Sequence, residues 1–131
     1  MKKVADLFIS LILSIWTFLI FAYKMILSSD IPVSISLKEL ISFIIGILIY
    51  TIIQLFYIKK TKLYLLNLTL LILPITFWGI ALLGALTYKY HVYDTISSII
   101  GFLCTLIIFL CYCSKIFAKN KKAKINQSID L

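Results

Sequence analysis

Polar side chains are sparse and grouped along this chain, and the apolar stretches between the groups are too long for strands. Four such stretches run over about 4–27, 39–58, 63–87 and 95–114, each near or above the ~20 residues that cross a hydrocarbon core. Between 41 and 58 only Ser42, Thr51 and Gln54 carry clearly polar side chains, whereas a soluble helix shows charge along its outer face. The pattern predicts helices that are apolar all round, as segments that satisfy their own backbone in lipid must be. The expected fold class is an all-α integral membrane protein: a four-transmembrane-helix antiparallel bundle, one domain over 1–118, followed by a basic, disordered cytoplasmic tail over 119–131.

Local signals add detail to the four spans. Ser36-Leu37-Lys38-Glu39 is a Ser-x-x-Glu capping box directly before the second apolar run, so a helix is expected to start there. Lys59-Lys60-Thr61-Lys62 leaves four residues between spans 2 and 3, which predicts a hairpin whose two helices pack side by side. Pro74 removes a donor inside span 3 and predicts a kink, with Thr76 or a neighbouring span compensating. Lys24 is expected to reach up to the outer interface along its apolar stem, and Tyr88, Tyr90, His91 and Tyr93 to form an aromatic belt at the headgroup level. Asp94 is placed to N-cap span 4.

Charge gives the arrangement a direction. All thirteen basic residues are lysine. If the N-terminus, the Lys59–Lys62 turn and the tail share one side, that side holds ten lysines against Asp6 and Asp130, a net +8. The other side balances Lys24, Lys38 and Lys89 against Asp30, Glu39 and Asp94. Lysine-rich loops stay in the cytoplasm, so both termini are expected inside, with a bacterial inner (plasma) membrane as the expected location. Lys2 and Lys3 also resemble the start of a secretory signal, but the apolar run is too long and no small-x-small site precedes Lys24. It is read as a retained span.

With 63% hydrophobic residues and a mean hydropathy of +1.10, the chain has no room for a soluble domain that would shape its lysines into a nucleic-acid surface. No nucleic-acid partner is expected. No Asp, Glu, Lys, Arg or His falls at a span centre, which argues against proton relays and ion-coupled transport. No GxSxG, HExxH, CxxC or glycine-rich phosphate loop occurs, so neither an enzyme nor a cofactor is expected. Cys104, Cys111 and Cys113 read as small apolar fillers, and the lone His91 is too far away to complete a metal site with them. A His91–Asp94 pair is available but ordinary, and Asn67-Leu68-Thr69 is a sequon buried in a span.

What remains is polar decoration of the helices. Ser10, Ser14 and Thr17 share a face of span 1, and Ser97, Gly101 and Thr105 a face of span 4. Ala81 with Ala85, and Ser42 with Gly46, are shorter versions of the same pattern. Gln54 and Asn67 lie at similar depth across the lysine turn and are expected to bond each other. Such stripes permit close helix approach in lipid, and they serve either internal packing or recognition of a foreign helix. The function expected from these features is a small multi-pass protein that recognises another membrane-inserted protein, most concretely a bacteriocin immunity protein that meets a pore-forming toxin. The alternatives are an oligomerising transporter or channel subunit, with the stripes lining a path narrowed by Trp16 or Trp78, and an accessory subunit of a membrane complex. Expected partners are the lipid bilayer, a membrane-inserted toxin or other membrane protein, and, in the alternative, further copies of the chain.

Overall fold

The computed structural model describes residues 2–129. Asp130, counted above in the charge balance, and the last residue of the expected tail lie outside the described residues. Four helices account for nearly all of the rest: α1 (Lys3–Leu27), α2 (Leu37–Lys60), α3 (Tyr64–Tyr88) and α4 (Val92–Ile129). Each is long and apolar enough to cross a membrane. At ~1.5 Å per residue the first three measure roughly 36–38 Å, somewhat more than a core of about 30 Å. Their outer faces carry large apolar side chains in the open, including Leu19, Phe56, Leu65, Ile80 and Leu83. Lipid is the solvent that such a surface suits.

Helix α2 begins on the expected capping box. The Ser36 hydroxyl accepts from the Glu39 N–H at 3.3 Å, and the Glu39 carboxylate accepts from the Ser36 N–H at 2.8 Å. Helix α3 runs unbroken through Pro74. Thr76 makes only the ordinary bond to the Ile72 carbonyl, so it does not stand in for the missing donor. α3 stops where Lys89 turns left-handed, at φ 50° and ψ 43°. α4 starts without Asp94 as its cap: the Tyr93 N–H donates to His91 Nδ1 at 3.1 Å, and Asp94 is turned elsewhere. At its other end α4 does not stop near Ser114. It stays helical to Ile129, about 22 Å farther, with every residue from Ala118 to Ile129 exposed. The lysines there alternate with Ala, Ile and Asn, all of which a solvated helix accepts.

The helices close a ring in the order α1, α2, α4, α3. α1 packs on α2 and α3, α4 packs on the same two, α1 and α4 touch only lightly, and α2 and α3 lie on opposite corners. The side-by-side α2–α3 hairpin expected from the short turn is therefore absent. A short connection fixes the relative direction of two helices, but three residues in extended geometry reach about 10 Å, enough to cut a corner between converging ends. Register follows from the contacts. Ser10 meets Tyr57 and Thr17 meets Tyr50 across antiparallel α1 and α2. Ser10 meets Asn67 and Phe21 meets Trp78 across parallel α1 and α3. Trp78 lies on Gly101, where a methyl group would overlap the indole, across antiparallel α3 and α4.

Two buried clusters fill the ring. One gathers Leu13, Tyr50, Tyr57, Leu71, Ile108 and Tyr112 in the half near the termini. The other gathers Phe43, Ile47, Trp78 and Cys104 in the opposite half.

Candidate functional site

The inner face of α1 carries a polar row. Asp6, Ser10, Thr17 and Lys24 are all buried, spaced by four, seven and seven residues so that one face holds them all. Asp6 stands at the terminal end. Its carboxylate accepts from the Tyr57 hydroxyl at 2.5 Å, the Thr61 hydroxyl at 2.8 Å and the Lys62 N–H at 3.0 Å. The α2–α3 turn is thereby pulled across onto α1.

From Asp6 a directed chain of hydrogen bonds enters the bundle. Tyr57 donates to Asp6, so it accepts from the Ser10 hydroxyl at 2.7 Å, and Ser10 in turn accepts from Asn67 Nδ2 at 3.0 Å. The second Asn67 donor goes to the Leu63 carbonyl at 2.8 Å. A second chain lies deeper. Tyr112 donates to Gln54 Oε1 at 3.1 Å, Gln54 Nε2 donates to the Tyr50 hydroxyl at 2.9 Å, and Tyr50 donates to Thr17, which donates to the Leu13 carbonyl at 2.9 Å. Every buried polar side-chain atom among the described residues has a partner. The two chains flank a void of about 10 Å³ lined by Ser10, Ser14, Thr17, Gln54 and Asn67, at the lower limit for a single water.

Five of the sequence-selected residues thus converge around one spot, but Gln54 and Asn67 do not bond each other. Their helices are diagonal, and Ser10 on α1 stands between them. The other three selected residues form a separate seam. Ser97, Gly101 and Thr105 are buried on α4, their hydroxyls return to the Asp94 and Gly101 carbonyls, and Trp78 covers the glycine. Tyr50, Tyr57, Tyr112 and Asp6 were missed as members of the network. Tyr50, Gln54 and Tyr57 do share one face of α2 by spacing, and that was the available signal.

The opposite end of the bundle holds an ion pair. Lys24 Nζ lies 2.9 Å from Asp94 Oδ1, with side-chain exposures of 4% and 8%, and the Ser28 hydroxyl donates to the same oxygen at 2.5 Å. Lys24 therefore does not extend to the interface. Its distance from the end of α1 lets it reach inward across the diagonal, and a buried carboxylate draws it there. Beside this pair opens a pocket of about 630 Å³, within the range of roughly 300–1,000 Å³ common for small-molecule sites. Its walls come from the ends of α1 and α3, the 29–33 loop and the start of α4.

A third feature faces outwards. Ser42 and Gly46 on α2 are left uncovered by the bundle, and a side chain at Gly46 would meet nothing within 4 Å. They lie in a groove of about 270 Å³ flanked by Trp16 and Tyr23 of α1. No cluster of three or more metal-ligating side chains occurs among the described residues, and Cys104, Cys111 and Cys113 are unpaired thiols.

These features define a multi-pass helical membrane protein with a hydrogen-bonded polar interior. Comparison with known proteins yields no match: no family model, no curated protein and no solved structure is significantly similar to the chain.

Proposed function

We propose that the protein works by binding: seated in a bacterial inner membrane with both termini in the cytoplasm, it recognises a second membrane-inserted protein through a helix face. The observation that supports this is the Ser42–Gly46 groove. Of the small-residue stripes on the four helices, those on α1 and α4 are consumed by the bundle's own packing, whereas Ser42 and Gly46 face lipid with open space above the glycine. Small residues with an aromatic flank on one side admit a close-approaching foreign helix, and in lipid such approach is driven by packing and not by the hydrophobic effect. The concrete form of this reading is an immunity protein that engages a pore-forming bacteriocin before the pore conducts.

The alternative, an oligomerising transporter or channel subunit, draws less support, because the serine and threonine faces that would line its path are turned inward and filled. Expression of the chain in a toxin-sensitive strain tests the binding reading. Protection against one pore-forming toxin and none against nuclease toxins is expected, with Gly46→Leu abolishing protection while the protein still inserts. Undiminished killing across a broad panel of membrane-active toxins would sink it.

A further inference from the structure

Two side-chain amides meet the small void between the hydrogen-bonded chains from opposite corners of the ring, and backbone carbonyls fix which way each is turned. Thr17 donates to the Leu13 carbonyl, which can only accept, so Thr17 accepts from Tyr50 and Tyr50 accepts from Gln54 Nε2. Gln54 Oε1 then receives the Tyr112 hydroxyl. Asn67 is fixed in the same manner, because its Nδ2 hydrogens go to the Leu63 carbonyl and to Ser10. An amide side chain has two hydrogens and one carbonyl oxygen. Gln54 is thus left with one N–H and Asn67 with Oδ1, a donor and an acceptor of matching kind, yet no bond joins them. The Ser14 hydroxyl also has no protein partner among the described residues, whereas Ser10 and Thr17 on the same face of α1 are both bonded. All three of these residues line the void.

We propose that the void binds a single water molecule that joins Gln54 to Asn67, accepting from Gln54 Nε2, donating to Asn67 Oδ1 and taking the Ser14 hydroxyl as its third partner. Size selects this occupant: a volume of about 10 Å³ admits one water and nothing larger, and a buried water makes about three hydrogen bonds. Polarity selects it as well. Dry cavities are apolar, whereas five of the seven residues lining this one are polar, and lipid offers them no other partner. Direction is the third argument. Through the water, every bond from Tyr112 to Gln54, Asn67, Ser10 and Tyr57 donates toward Asp6. That chain crosses all four helices and ends on a carboxylate, so each bond polarises the next in the same sense. The proposal stands without the partner reading above.

Two measurements on the full chain test this. A crystal structure grown from a lipidic mesophase should show an oxygen peak at about 2.7–3.2 Å from Gln54 Nε2, Asn67 Oδ1 and Ser14 Oγ. In perdeuterated lipid bilayers, solid-state NMR should transfer magnetisation from water protons to the side-chain amides of Gln54 and Asn67. Ser14→Val, whose methyl groups take up the void, should abolish that transfer and leave the backbone spectrum elsewhere unchanged. Relay through the Ser10, Tyr50 and Tyr57 hydroxyls would survive the same substitution, so loss of transfer separates a bound water from such a relay. A void without a peak in the unmodified chain, a direct Gln54–Asn67 bond in its place, or undiminished transfer in Ser14→Val would each overturn the proposal. If Ser14→Val does not fold, the peak in the unmodified chain decides alone.

Discussion

Lys24 and Asp94 show how a residue's environment overrides its local signal. Asp94 sits where an N-cap is expected and Lys24 where a lysine ordinarily reaches out to water, but each finds a better partner in the other across the bundle. Removing one member leaves an uncompensated buried charge, which costs about 3–5 kcal/mol, whereas replacing both with apolar groups of similar size is close to neutral. Lys24→Met alone should therefore lower unfolding stability in mixed micelles by about that amount, and Lys24→Met with Asp94→Leu should recover most of it. Equal losses in the single and paired variants would show that the pair is not coupled. Gly101 gives a second residue-scale expectation. A methyl group there would overlap the Trp78 ring, and overpacking of this kind costs about 1–3 kcal/mol. Gly101→Ala should destabilise in the same assay, and adding Trp78→Phe should return part of the loss. The capping box at Ser36 was legible from four letters because it closes within one helical turn. The Lys24–Asp94 pair spans 70 positions and left no local trace.

At the scale of the helices, the four spans were legible, but the extension of α4 to Ile129 and the neighbours of each helix were not. Hydropathy marks a span because every residue in lipid reports the same solvent. Which face meets which helix depends on a few inward side chains, and several were read only in part. The stripe of Ser10, Ser14 and Thr17 was visible, yet its continuation to Asp6 and Lys24 along one face was not followed, and that continuation is what shows α1 to be clamped at both ends. Asp6 then explains the ring order: it gathers Tyr57, Thr61 and the Lys62 N–H, holding the α2–α3 turn against α1 so that α3 falls on the far side of α1 from α2. Cross-linking in a cysteine-free background tests this order. Phe18→Cys with Phe77→Cys, whose native rings are 6.3 Å apart, should be bridged by a short bifunctional thiol reagent. Ile49→Cys with Leu73→Cys, the mid-membrane pair that a side-by-side α2–α3 hairpin would bring together, should not. A bridge at the second pair and none at the first would restore the hairpin.

For the molecule as a whole, lysine placement and helix alternation point the same way. The up-and-down course of α1 to α4 brings Lys2, Lys3, the 59–62 turn and the long basic end of α4 to one end of the bundle, and the 29–36 and 89–91 connections to the other. All ten lysines cited for the cytoplasmic side are exposed, so water and anionic headgroups reach them, and the energetic bias for lysine-rich loops applies. This orientation decides what the two sites can meet: the pocket at Lys24 and Asp94 opens at the outer leaflet if the termini are inside, and at the inner leaflet if they are not. Asp30→Cys and Lys62→Cys, each alone in a cysteine-free background, separate the cases. A membrane-impermeant maleimide applied to intact cells should label the first, because Asp30 is exposed in the short connection after α1, and should reach the second only after permeabilisation. The reverse pattern would turn the bundle over. It would also open the pocket at Lys24 and Asp94 to the cytoplasmic leaflet, with the 29–33 loop that walls it on the cytoplasmic side.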